Sequence, residues 1–118
     1  MLRYGLVMLL SLGTGGAFAQ DLSFLLINST SYPISELHLS PPNLNYWGRN
    51  SLLPPPLKVG EERVVAVAPY ATECIQDVRV VFANNSSLAV WQGLNICGLK
   101  KLRLFFDAIS GVTTAQYD

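Results

Sequence analysis

His38 is the chain's one histidine, the side-chain type that ordinarily titrates near neutrality. A general base also needs a nucleophile and an orienting acid within reach. Glu36 lies two residues earlier, on the same side of an extended segment. Serines are plentiful, yet none sits in a Gly-x-Ser-x-Gly setting. The pair therefore reads as an exposed strand histidine beside a carboxylate. A small hydrolase using His38 is the weaker alternative.

Asp77 and Arg79 are also two apart and share a strand face. They suit a polar ligand, or pairing with neighbours, or hydrogen bonds that lock the Trp47–Asn50 segment. The structural role is the expected one, because such pairs are common on sheets. Tyr46, Trp47 and Arg49 form the candidate binding set, since aromatics beside arginine are typical of recognition surfaces. The competing expectation is that Trp47 plugs an open end of the fold. Trp91 is expected in the core.

Cys74 and Cys97 are the only cysteines. Their spacing makes no CxxC redox motif, and a lone histidine cannot complete a zinc set. A structural disulfide is expected. No phosphate-cradling glycine loop or Ca²⁺-loop spacing is present, so neither cofactor nor metal is expected.

These residues need a scaffold. Met1–Ala19 reads as a signal peptide: Arg3, the apolar run Leu6–Leu12, then Ala17-Phe18-Ala19 before Gln20. Its removal leaves residues 20–118, a single β-domain of 99 residues with seven cations and eight anions. That balance argues against nucleic acid and against charge-driven membrane binding. No later run is long enough to span a bilayer. Periplasmic or fully secreted placement follows from the leader.

The mature chain alternates strand patterns with turn chemistry. Short runs occur at Phe24–Ile27, Ile34–Leu39, Arg63–Ala68, Cys74–Phe82, Leu88–Gln92 and Leu99–Phe106. In the second, Leu37 and Leu39 mark the inward side. Gly93 marks a bulge or bend. The tail after Asp107 is a weak edge strand or disordered. A long irregular stretch, Pro41 to about Gly60, carries Pro54-Pro55-Pro56, and such stretches are often functional. The sum is an all-β protein: a small antiparallel sandwich, Ig-like or barrel-like, of about six to eight short strands with one disulfide.

Several landmarks occur together. They are Phe24-x-Leu26-x-Asn28-x-Thr30, Ser40-Pro41, Trp47-Gly48-Arg49-Asn50-x-Leu52, Cys74-Ile75-x-Asp77-x-Arg79-Val80-Val81-Phe82 and Trp91-x-Gly93-x-Asn95-x-Cys97. The string resembles a family of small exported bacterial proteins of uncharacterised function, over nearly all the mature chain. The resemblance implies a disulfide-bearing β-domain behind a signal peptide. It also implies an Asp-Gly hairpin turn where this chain has Asn84-Asn85, a pair that tolerates positive φ. Such sequences sometimes carry an argininosuccinate lyase label. That lyase fold is a much longer helical bundle with composite active sites, which this chain cannot build.

The expected function is therefore a non-enzymatic binding or structural domain of the bacterial envelope. Its partner is an unknown protein or envelope component, and its oligomeric state is open. A small-ligand carrier is the alternative, and requires a barrel interior larger than its side chains fill.

Overall fold

The computed structural model describes residues 22–67 and 73–117. The expected leader lies outside them, as does Ala68 at the end of the third expected strand. Among the described residues there are seven strands: β1 (Leu22–Asn28), β2 (Ile34–Ser40), β3 (Glu62–Val67), β4 (Ile75–Phe82), β5 (Leu88–Asn95), β6 (Lys101–Asp107) and β7 (Val112–Tyr117). They form a four-stranded sheet in the order β3-β1-β6-β7 and a three-stranded sheet in the order β2-β4-β5. The architecture is a small β-sandwich. One pair departs from the antiparallel expectation, because β1 and β6 run parallel.

The core forms where alternation directs apolar residues between the sheets. Phe24, Leu26, Val65, Leu102 and Leu104 come from the larger sheet. Leu37, Val78, Val80, Phe82 and Trp91 come from the smaller one. Phe106 stacks on Phe82 with ring centroids 5.4 Å apart. In β2 the simple alternation fails. A register shift between Ile34 and Glu36 turns Ile34 to the side of Leu37, and both are fully buried while Leu39 is only partly covered. A bulge reverses which residues face inward.

Gly93 also marks a bulge, with φ of +69° opposite an irregular register between Gln76 and Val78. The β4–β5 turn keeps its hairpin, but the positive φ falls on Ser86 (60°) rather than on Asn84 or Asn85. Asn85 contributes a side-chain oxygen that accepts the Ser87 N–H at 3.0 Å. The tail after Asp107 is an ordered edge strand, β7. Two cross-sheet bonds tie it to β5: the Trp91 indole N–H donates to the Thr114 carbonyl at 2.7 Å, and the Thr113 hydroxyl to the Val90 carbonyl at 2.8 Å. One flank of the sandwich is thereby stitched.

Cys74 and Cys97 are bonded, with Cα atoms 5.0 Å apart, just outside the open end of the β4–β5 hairpin. The disulfide indicates an oxidising, non-cytoplasmic environment.

Asp107 caps the β6–β7 turn. Its Oδ1 accepts the Ile109 N–H at 3.0 Å and the Ser110 N–H at 3.4 Å. The Ile109 bond, followed by the Ser110 hydroxyl and backbone, holds its carboxyl below the ordinary aspartate range. A folded value below the unfolded one means its contribution is complete above the unfolded titration. That contribution fades as pH falls through the folded value. A carbon-13 titration is expected to place the Asp107 midpoint below that of aspartate in an unfolded peptide. A midpoint at or above the peptide's counts against the cap.

Candidate functional site

The stretch from Pro41 to Gly60 has no strand of its own, but it is firmly placed. It runs along the outer edge of β2. The Gly48 N–H donates to the Leu39 carbonyl at 2.9 Å and the Ser51 N–H to the Leu37 carbonyl at 2.8 Å. Ile34 and Leu57 exchange bonds of 2.9 and 2.7 Å. Leu52 and Leu57, on either side of the three prolines, are fully buried. Each such burial contributes about 1.5–3 kcal/mol. Arg63 on β3 grips the intervening segment, donating to the carbonyls of Leu53 at 2.8 Å, Pro56 at 3.3 Å and Pro55.

Buried polar side chains fix both ends of this loop. Asn28 is fully buried and makes four hydrogen bonds. Its oxygen accepts from the Thr30 N–H and hydroxyl, and its amide donates to the Tyr32 and Leu57 carbonyls. At the other end, Asp77 is 3% exposed. Its Oδ2 accepts the Asn43 N–H and its Oδ1 the Gly93 N–H, both at 2.9 Å. The Asp77 lock engages Asn43, upstream of the Trp47–Asn50 segment expected from sequence. Asn50 does its own locking, accepting the Leu37 N–H at 2.9 Å.

Trp47 does not plug the sandwich. It lies outside the core cluster, with the Arg79 guanidinium carbon 4.8 Å from its ring centroid. The cation gains the ring face, and Trp47 gains cover for its apolar surface. Sequence adjacency could not show this pairing, because the partners are 32 positions apart.

His38 sits beside that pair. Its Nδ1 lies 2.7 Å from the Gly48 carbonyl, and its Nε2 lies 2.8 Å from Glu36 Oε1. Both ring nitrogens are engaged by oxygen acceptors. Among the described residues no hydroxyl or thiol hydrogen-bonds to it. The histidine expected to be exposed is half-buried and helps hold the loop.

Tyr46 and Arg49 turn the other way. They line a groove of about 750 Å³ between the loop and β3. Leu39 and Val67 lie within it, and Arg63, Glu73 and Gln76 contribute polar groups. Three large apolar side chains are exposed along it: Tyr46 at 75%, Leu53 at 73% and Val64 at 65%. Thus Tyr46 and Arg49 of the candidate set share a site, and Trp47 does not. Leu53, Val64 and Ala66 are members that sequence reasoning missed. Nothing local in β3 announces that a loop arrives alongside it.

The fold and site define a disulfide-bonded β-sandwich stitched on one flank and grooved on the other. No protein-family model, curated protein or solved structure matches the chain.

Proposed function

We propose that the mature chain is an exported, non-enzymatic binding domain of the bacterial envelope, and that its site is the groove between the long loop and β3. The observation that carries this reading is the exposed apolar surface of Tyr46, Leu53 and Val64, held on a rigid scaffold beside Arg49. Isolated exposed apolar residues are ordinary, whereas clustered ones that line a cavity mark interaction sites. Export is supported by the leader pattern of Met1–Ala19 and by the disulfide. The engaged ring of His38 favours binding over hydrolysis.

A small-ligand carrier is the second reading. It is favoured by the groove's volume, which falls within the range of about 300–1,000 Å³ typical of small-molecule sites. The groove lies on a flank, not in the barrel interior that this alternative first required.

The test uses anilinonaphthalene sulfonate, whose aromatic body suits the apolar wall and whose sulfonate suits Arg49. The oxidised mature domain is expected to enhance its fluorescence saturably under native conditions. A Tyr46→Ser/Leu53→Ser variant with an unchanged melting curve is expected to bind it at least ~5-fold more weakly. No native-state binding, or equal binding by the variant, overturns the groove as the site.

A further inference from the structure

The backbone of β3 narrows what the groove holds. The Leu25 N–H donates to the Lys100 carbonyl, so the polar groups of Leu25 face β6. Successive residues of a strand point their amides to opposite sides, so Phe24 and Leu26 face β3. The Asn28 N–H, two residues further, donates to the Glu61 carbonyl and fits the same phase. In this antiparallel register Phe24 is opposite Val65 and Leu26 opposite Arg63. The N–H and C=O groups of Arg63 and Val65 are therefore spent on β1. Those of Glu62, Val64 and Ala66 point away from it. Among the described residues no strand pairs with that edge. Val64 and Ala66 also line the groove.

From this geometry we infer that the groove's occupant is an extended polypeptide segment of a partner protein, which adds a strand to the free edge of β3. The inference rests on the groove being the binding site. An unpaired edge beside an apolar channel is the arrangement used in strand addition, where backbone bonds give affinity and pockets read alternate side chains. The charges agree. Arg49 lies on the loop wall and Glu73 lines the groove just before β4, and neither has an ion-pair partner among the described residues. An occupant that meets both carries a carboxylate and a cation at separate positions. A polypeptide does so, and a simple fatty acid does not. Tyr46, Leu53 and Val64 then receive its apolar side chains.

The probe is a set of twelve-residue peptides selected from a random display library against the oxidised mature domain, then synthesised and labelled. Bound peptide is expected to slow hydrogen exchange of the Val64 and Ala66 amides at least ~10-fold, leaving the Val65 amide, already paired with β1, little changed. Val64→Pro removes one outward N–H without touching the β1 ladder, since proline is tolerated where the N–H faces solvent. It is expected to weaken peptide binding ~10-fold or more, and clearly more than Val64→Thr, which keeps the outward N–H and loses only apolar contact.

Four results overturn the inference: no peptide is selected, Val64→Pro binds peptide equally, the two amides stay unprotected, or sodium dodecanoate binds where peptide does not. Protection of those amides by self-association alone, seen in sedimentation equilibrium, assigns the edge to a second copy and also overturns it. The dye experiment separates these failures from failure of the groove itself. Native-state dye binding lost in Tyr46→Ser/Leu53→Ser leaves the groove standing even when no peptide binds.

Discussion

Replacing Asp77 with alanine is expected to cost about 3 kcal/mol and to release the upstream half of the long loop. The carboxylate is buried and accepts two backbone N–H groups at 2.9 Å, from Asn43 and Gly93. Both donors belong to residues at positive φ, 64° and 69°. Left-handed backbone at Asn43 persists because its surroundings over-determine it, whereas Gly93 adopts it freely; one carboxylate anchors both turns. Truncation leaves two N–H donors without their acceptor, at about 1–3 kcal/mol for each one that stays dry. Asp77→Asn is the informative second variant. It retains one carbonyl oxygen and sets an NH₂ group against the remaining N–H, so an intermediate loss of about 1–2 kcal/mol is expected. Urea unfolding measures both losses, and native-state hydrogen exchange should show the Asn43 and Gly93 amides opening first. A loss below about 1 kcal/mol for Asp77→Ala refutes the lock.

The second large effect belongs to the disulfide. A Cys74→Ser/Cys97→Ser protein is expected to lose about 3 kcal/mol, the chain-entropy value for a loop of roughly two dozen residues. A domain of this size has about 5–15 kcal/mol in all, so the melting temperature should fall by well over ten degrees. The bond closes the hairpin end from which Glu73 and Gln76 enter the groove. The Ile96 N–H to Cys74 carbonyl bond, at 2.9 Å, remains available to the unbridged chain. The reduced domain should therefore refold with the same strands and a weaker dye site. Equal urea midpoints for the oxidised and serine forms would falsify the bridge's contribution.

The fold was legible where one strand's own pattern decides its geometry. Val78, Val80 and Phe82 alternate inward, and the Cys74–Cys97 pair needs only an oxidising compartment. Legibility ended where a second segment decides. The bulge near Ser35 re-phases β2, and only pairing with β4 reveals it. The parallel β1–β6 pair depends on the whole topology. Asn28 reads as an ordinary turn residue because its fourth partner, the Leu57 carbonyl, is 29 positions away. The site divides in the same way. Tyr46 and Arg49 carry a local signal, aromatic beside cation. Trp47 carries the same signal but is claimed by Arg79. Val64 and Ala66 look like any strand residues until the loop is seen beside them.

The course of the long loop along β2 has a consequence for assembly. Open-ended growth by edge pairing requires each molecule to offer at least two sticky borders, one to give and one to receive. Here the loop shields the β2 border with scattered bonds rather than a ladder, and side chains sew β5 to β7. Among the described residues, β3 is the border left open. A molecule with a valence of one ends a chain as soon as it joins it. Pairing through β3 alone stops at two copies, and among the described residues the loop along β2 and the stitches between β5 and β7 leave the runaway filament that exposed β-proteins risk a poorer second foothold.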